Sequence, residues 1–318
     1  MISVVIPIFN EEKNISELHR RLDAVLSDIG DSYEIVFVDD GSQDNSLKLT
    51  WALSCNDHNI RVVKLSRNFG HQSAMTAGMD TANGDIVISM DGDLQDQPEE
   101  IPRLVEKVKS GYDVAYAIRS VRQDSIKKKL TSKLFLSLIN TISSQETNIQ
   151  SSVFMAMNRK VASALIRCRE PSRFFPGLVS WLGFSQIGVE VTHGPRFAGE
   201  SKYKFWGLIK LSINTITSFS YVPLRIATWT GMMFAILSFT AVAVVTVRAI
   251  FFEISVEGWA SVMIAVLFIG GTQLMVIGIL GEYIGRSYTV LQNRPLYIID
   301  YEIKDGTPII NDKDKRNL

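Results

Sequence analysis

Cysteine is nearly missing from this chain: Cys55 and Cys168 are the only two in 318 residues. They support neither a disulfide framework nor a cysteine-rich zinc site, and they suit a reducing, cytosolic face. A surplus of one charge is missing too, since 33 Lys and Arg are set against 33 Asp and Glu. No basic excess is therefore available to a nucleic-acid backbone. The opening residues lack a basic segment followed by a long apolar one, because Asn10, Glu11, Glu12 and Lys13 interrupt the first apolar run; no signal peptide is expected there. Neither a Gly-x-x-x-x-Gly-Lys loop nor a Gly-x-Gly-x-x-Gly turn occurs, which removes the main support for an ATPase or a dinucleotide-dependent enzyme.

Charge is absent altogether from Ile226 to Val247 and from Gly258 to Gly281. Runs of about 22 and 24 residues, at about 1.5 Å per residue, reach roughly 33 and 36 Å, enough to cross a hydrocarbon core of about 30 Å. The connector from Arg248 to Glu257 makes them a transmembrane hairpin, with the soluble part and the C-terminal tail on one side. Lys202, Lys204, Lys210, Arg225, Arg286 and Arg294 flank its outer ends, whereas the connector sets Arg248 against Glu253 and Glu257. That asymmetry places the soluble part in the cytoplasm.

Ahead of the hairpin, strand-like and helix-like stretches alternate. Ser3 to Ile8 is followed by a helix carrying Ile15, Leu18, Leu22, Val25 and Leu26. Glu34 to Val38 ends at Asp39-Asp40-Gly41-Ser42, with Asp44 placed to cap a helix through about Cys55. Arg61 to Leu65 ends at Ser66-Arg67-Asn68-Phe69-Gly70-His71 before a helix from Ser73 to Ala82, and Ile86 to Ser89 leads into Asp91-Gly92-Asp93-Leu94-Gln95 before a helix starting near Pro98. A fifth strand, Val114 to Ile118, ends at Arg119. This alternation predicts an α/β domain with a parallel, doubly wound sheet whose polar strand ends gather on one edge, where such sheets bind ligands. Acids beside an arginine at that edge suit a nucleotide. Asp91 and Asp93, with Gln95 as a third oxygen donor, could hold a hard divalent cation that also takes substrate phosphate oxygens. The alternative is an acidic turn after a strand.

Two further stretches read as membrane-surface segments. Lys127, Lys128, Lys129 and Lys133 run into Leu134, Phe135, Leu136, Leu138, Ile139 and Ile142, and Phe205 to Tyr221 mixes apolar bulk with Trp206. The loop Arg196-Phe197-Ala198-Gly199-Glu200-Ser201-Lys202-Tyr203-Lys204 just before suits a phosphate headgroup. Ordinary solvated or juxtamembrane lysines are the competing reading.

The segments Val4 to Glu12, Val38 to Ser42, Asp91 to Gln95 and Phe197 to Tyr203 resemble, in order, the motifs of family 2 glycosyltransferases, nearest the polyprenyl-phosphate branch that includes bactoprenol glucosyltransferases and dolichyl-phosphate mannose synthase. The resemblance implies a GT-A (Rossmann-like) domain that binds a nucleotide sugar. It implies that Pro7, Phe9 and Glu11 surround the base, that Asp39 meets base or ribose, and that Asp91, Asp93 and Gln95 hold Mg²⁺ or Mn²⁺ with the diphosphate. Asp40 and Arg67 fall at the same nucleotide edge. Arg119 and Arg196 match phosphate-binding arginines, and Ser201 and Lys202 the acceptor side. The implied reaction is inverting transfer of a sugar, glucose being the family-level expectation, from its UDP carrier to polyprenyl phosphate.

One departure stands out. Related sequences carry an aspartate, often proposed as the base, where this chain has Gln150 ahead of Ser151-Ser152-Val153-Phe154-Met155, and a glutamine cannot accept a proton. Either Gln150 replaces that aspartate, naturally or by engineering, or the correspondence slips there. The expected domains are a catalytic unit at 1–195, an acceptor loop and interfacial helix at 196–224, the hairpin at 225–288 and a cytoplasmic tail at 289–318. The expected partners are a UDP-sugar, polyprenyl phosphate and the bilayer, with no nucleic acid, and the hairpin offers a surface for a homo-oligomer. A processive polysaccharide synthase is a rival without its Gln-x-x-Arg-Trp motif, and a non-catalytic membrane-tethered nucleotide-sugar sensor is another.

Overall fold

The structure is a computed structural model that describes residues 1–119, 153–170, 173, 175–192, 222–251 and 258–309. Strands β1 (Ile2–Ile8), β2 (Tyr33–Asp39), β3 (Ile60–Leu65) and β4 (Ile86–Ser89) form a parallel ladder in the order β4-β1-β2-β3. A parallel ladder is covered on both faces, so its strands read as unbroken apolar runs rather than alternations. Every residue of β1 is accordingly buried, Pro7 among them.

On one face, α1 (Ile15–Ile29) buries Ile15, Leu18, Leu22 and Leu26, a single stripe at helical spacing. Next comes α2 (Ser46–Asn56), whose N-cap is Asn45 and not the expected Asp44; Asp44 stands one residue earlier, and its Oδ1 accepts from the Ser46 amide at 2.9 Å. On the other face, α3 (His71–Thr81) lies tight against β1 and β2 because its packing positions are small. A Cβ at Gly78 would collide with the Val5 and Val38 side chains.

Beyond this parallel core the sheet is mixed. After α4 (Ile101–Lys109) come β5 (Val114–Arg119), β6 (Met155–Asn158), α5 (Arg159–Arg167), α6 (Phe175–Trp181) and β7 (Gln186–Val191). Strand β6 inserts between β4 and β5, antiparallel to both, and β7 pairs parallel with β5. Two antiparallel steps restore direction, so β5 and β7 run as β4 does. Their last residues, Arg119 and Val191, are register partners and finish at the same edge as Ser89. Strands β6 and β7 had no counterpart in the sequence reading, which carried the sheet only as far as β5.

The hairpin region forms α7 (Val222–Phe251) and α8 (Trp259–Leu291), long helices that leave large apolar side chains such as Trp229, Phe239, Leu274 and Met275 exposed, while Phe234 of one packs edge-on against Phe268 of the other. Among the described residues, Phe268–Leu291 is the helical stretch long and apolar enough to cross a membrane. The expected interfacial segments at 127–142 and 205–221 lie outside the described residues.

The stretch expected as a tail is instead part of the sheet. Strands β8 (Ile299–Lys304) and β9 (Thr307–Ile309) extend it past β3, with β8 antiparallel to β3. The Asp305-Gly306 turn has φ of 53° and 67° at its two residues, the positive pair that a two-residue hairpin needs. Ile303 is fully buried, Ser66 N donates to Ile298 O at 2.9 Å, Lys64 pairs with Asp300, and Trp51 Nε1 donates to Gly306 O at 3.1 Å. The residues after the hairpin thus close the β3 edge. A chain ending near Leu224 would leave that edge open to other strands. It is expected to melt lower and aggregate more than the full chain; equal melting temperature and equal monodispersity would refute a closing role for β8.

Candidate active site

The first strand-end loop and the second are laced together before any ligand is considered. Ser42 Oγ accepts from Asn10 N at 3.1 Å, Asn10 Oδ1 from Gln43 N at 2.8 Å, and Ser46 Oγ from Glu11 N at 2.9 Å. Glu12 N donates to Asp44 Oδ2 at 3.2 Å, and Glu12 Oε2 accepts from both nitrogens of Asn45. The exchange is reciprocal, with each loop supplying acceptors for the other's amides. Asn10 sits at φ 57°, a left-handed conformation that asparagine tolerates. Phe9 and Glu11 are half-buried, and Glu11 Oε2 also accepts from Asn14 Nδ2 at 2.6 Å. Pro7 packs inside β1, so it shapes this corner from beneath.

At the end of β2 two adjacent carboxylates are buried, Asp39 at 1% and Asp40 at 2% exposure. They are used differently. Asp39 Oδ2 accepts from the Ser42 amide at 3.3 Å, while its Oδ1 is buried with no hydrogen-bond partner among the described residues. Asp40 accepts from Phe69 N at 2.7 Å with one oxygen and from Gly70 N at 2.9 Å with the other. Gly41, at φ 72°, lies so close that a Cβ there would stand 2.8 Å from Asn68 N. The β2 end therefore braces the loop that carries Arg67, and Asp40 faces that loop with both oxygens. Arg67 is exposed, with its guanidinium 4.0 Å over the Phe69 ring and Nη1 donating to Asn68 O.

Burial pushes both carboxyls above the ordinary carboxylate range. Asp39 is held back in part by Ser42 and Lys64, and Asp40 by the Phe69 and Gly70 amides.

Strand β4 stops at Ser89, though Met90 N still donates to Val5 O at 3.2 Å, and Asp91 follows. Asp91 and Asp93 are half-buried, with Gly92 tucked beneath against Pro7 O, where a Cβ would be 3.3 Å away. Asp93 Oδ1 accepts from Gln95 N at 3.1 Å, and Leu94 takes φ 61° to turn its side chain into the core. His71, the first residue of α3, brings Nε2 to 3.3 Å from Asp91 Oδ1. His71 was named in the sequence only as the end of a loop. The available signal was its place directly after Gly70, where a strand end hands over to a helix N-terminus.

The described strand ends thus bring Phe9, Glu11, Asp39, Arg67, Asp91, Asp93 and Gln95 to one edge of the sheet. Arg119 ends β5 at that edge too, two strands beyond β4. Arg196, Ser201, Lys202 and Gln150 lie outside the described residues. Among the described residues no three His, Cys, Asp or Glu side chains gather to cage a metal. Two carboxylates and a carboxamide oxygen suit a hard cation that draws the rest of its shell from a substrate.

Ionising a buried carboxyl whose pKa is raised costs stability in full above that pKa, and the cost is relieved as pH falls toward about 3.9, the unfolded value. Asp39→Asn keeps an acceptor for Ser42 and removes the charge. It is expected to raise the melting temperature near neutral pH, with the gain shrinking toward about pH 4. An unchanged melting temperature near neutral pH would show that the Asp39 carboxylate carries no such burden.

Residues 3–166 match the family described as "Glycosyl transferase family 2", and residues 222–287 match the "GtrB C-terminal hairpin". The chain is 40% identical to the uncharacterized glycosyltransferase YkcC of Bacillus subtilis (strain 168), over 93% of this chain and 92% of that one. It is 39% identical to the undecaprenyl-phosphate 4-deoxy-4-formamido-L-arabinose transferase of Pectobacterium atrosepticum, over 97% and 95%, and 40% identical to the SfII prophage-derived bactoprenol glucosyl transferase of Shigella flexneri, over 94% and 97%. With its first strands and strand-end acids inside the one match and α7 and most of α8 inside the other, this chain belongs to glycosyl transferase family 2.

Proposed function

We propose that this chain transfers a sugar, with inversion at the anomeric carbon, from a UDP-sugar to polyprenyl (undecaprenyl) phosphate at the cytoplasmic face of a membrane. The observation that carries this reading is a strand-end edge holding a buried, open Asp39 oxygen and the Asp91–Asp93 pair, in a chain that also carries the hairpin. Two relatives whose names specify an undecaprenyl-phosphate or bactoprenol transferase support the acceptor. Their named sugars differ, and glucose is the sugar proposed here.

In this reading Asp39 Oδ1 accepts a hydrogen bond from the base or ribose, the partner it lacks among the described residues. Phe9 and Glu11 flank that base, and Arg67 and Arg119 supply positive charge toward phosphate. Asp91, Asp93 and Gln95 would hold Mg²⁺ or Mn²⁺ against the diphosphate. Such an ion, when bound, offsets the charge that develops on the leaving UDP. Arg196, Ser201 and Lys202 are assigned to the acceptor phosphate, which they orient for attack on the anomeric carbon.

Chain topology supports a two-span anchor. Strands β3 and β8 share one sheet, although α7 and α8 lie between them in sequence. A chain that leaves the sheet and returns to it on the same side of a membrane crosses an even number of times. If α8 spans, a second crossing is required, and α7, with the uncharged run 226–247, is the segment proposed for it.

Incubating full-length protein with radiolabelled UDP-sugars and undecaprenyl phosphate is expected to yield a lipid bearing one sugar; a polymer, or no transfer with any donor, would overturn the reading. Asp93→Ala is expected to lower kcat/KM about 100-fold or more, the scale of a lost electrostatic stabiliser. Full activity in excess chelator would sink the metal assignment.

Gln150 bears on the chemistry of attack. A sugar hydroxyl must lose a proton as it attacks, but a phosphate monoester, with a second pKa of about 6, arrives already ionised at neutral pH. No base is then required at position 150. Gln150→Asp is expected to turn over at nearly the parent rate between about pH 6 and 8, where the acceptor is ionised. A variant faster by about 100-fold, the scale of a general base, would refute base-free attack.

A further inference from the structure

An asparagine that opens a helix ordinarily turns its side-chain oxygen onto the amide of the second or third helical residue. Asn14, the residue before α1, does otherwise: its side chain makes no capping hydrogen bond, and its Oδ1 is buried with no partner among the described residues. Its Nδ2 donates instead to Glu11 Oε2 at 2.6 Å. The amide has one orientation here, because its oxygen turned toward Glu11 would meet a second acceptor. A cap is forgone and a buried acceptor left unsatisfied, both at a cost in stability, while a carboxylate at the strand-end edge receives a donor from beneath.

The position of Asn14 is itself fixed. It is 1% exposed, its backbone amide donates to Glu11 O at 2.9 Å, and its carbonyl accepts from Leu18 N at 2.9 Å, one turn into a helix that buries Ile15 and Leu18. Glu11 is held at its backbone by Ser46, a fully buried residue of α2 whose Oγ accepts from the Glu11 amide at 2.9 Å. Backbone and side chain of Glu11 are therefore fastened from the starts of two helices. The same corner reaches Asp39, since the Ser42 amide donates to Asp39 Oδ2 and Ser42 Oγ accepts from Asn10 N.

We infer that Asn14 is a positioning residue for donor binding: its Nδ2–H holds the Glu11 carboxylate in the orientation that the nucleoside of the donor meets. The inference rests on the nucleotide reading proposed above and extends it to a residue buried beneath the edge, with almost no surface of its own for the donor to touch.

The test is calorimetric titration of UDP, with Mn²⁺ present, into the full-length protein in detergent. The forms compared are the parent, Asn14→Ala, Asn14→Asp, Glu11→Ala and the combination of Asn14→Ala with Glu11→Ala. Asn14→Asp keeps the shape of the side chain, loses the donor and sets one carboxylate against another, so the answer does not hang on the alanine variant alone. Each single Asn14 variant is expected to weaken UDP binding by about 10-fold, the scale of a hydrogen bond to a charged group. On the Glu11→Ala background, adding Asn14→Ala is expected to cost nothing further, because the group it orients is gone. Unchanged UDP affinity in the Asn14 variants overturns the inference. So does an equal loss from Asn14→Ala with and without the Glu11 carboxylate, the mark of a general loosening of the loop. If Glu11→Ala binds UDP as the parent does, Glu11 does not meet the nucleoside, and the inference falls while the donor reading stands. A parent protein that binds no UDP overturns the donor reading itself, and the inference with it.

Discussion

Burying a carboxylate costs free energy that must be recovered through hydrogen bonds, and the acids at the end of β2 recover it in opposite ways. Asp40 is satisfied on both oxygens by the amides of Phe69 and Gly70, so it acts as a rigid joint between two strand ends. Asp39 recovers only part of the cost, because one oxygen is buried without a hydrogen-bond partner among the described residues. Such an oxygen is costly in a protein that never binds anything and useful in one that does, since a ligand donor completes it without first displacing an internal partner. The rest of the edge follows from this pair. The loop braced by Asp40 presents Arg67 and His71, and the turn beginning at Ser42 fastens the β1 loop that carries Phe9 and Glu11.

The parallel ladder makes one edge of the sheet available for all of this. Strands that run the same way discharge their loops on the same side, and two antiparallel steps through β6 bring β5 and β7 back into that direction. The antiparallel additions thus enlarge the edge without reversing it. On the far side β8 covers β3, whose amides would otherwise be a template for aggregation. The hairpin is in this sense an insertion into a sheet domain, bounded on both sides by chain that belongs to the sheet.

Much of this was legible in the residues. The apolar runs at β1 to β4, the stripe of α1 and the acids after β2 and β4 all obey local rules, and the structure places them where those rules direct. What was missed depends on distant partners. Met155–Asn158 is a four-residue strand too short to show a period, and it is a strand only because β4 and β5 flank it. The segment 299–309 did carry a signal, an Asp-Gly pair between short strand-like runs. Its position after a membrane hairpin suggested a tail, and the pairing that makes it structural lies more than 230 residues earlier, as in Lys64 with Asp300. His71 was visible as a residue but not as a contact, because its nearness to Asp91 arises from α3 crossing over β1 and β2.

The donor and acceptor halves of the proposed reaction ask different things of the chain. A diphosphate leaving group needs fixed charge at the point where negative charge appears, and fixed groups act without reorganising during the reaction. The loops here meet that need through mutual hydrogen bonds that hold in the protein by itself. A lipid phosphate needs less chemistry, since it arrives ionised, but it is confined to a surface, so delivering the catalytic edge to that surface does the work of concentrating it. A sheet domain interrupted by a hairpin answers both demands at once. In the proposed reaction the mutual hydrogen bonds of the strand-end loops keep the donor edge fixed, and the hairpin is the part assigned to the membrane. On the proposed reading a glutamine at position 150, which cannot accept a proton, is consistent with an acceptor that brings its own ionised oxygen to the attack.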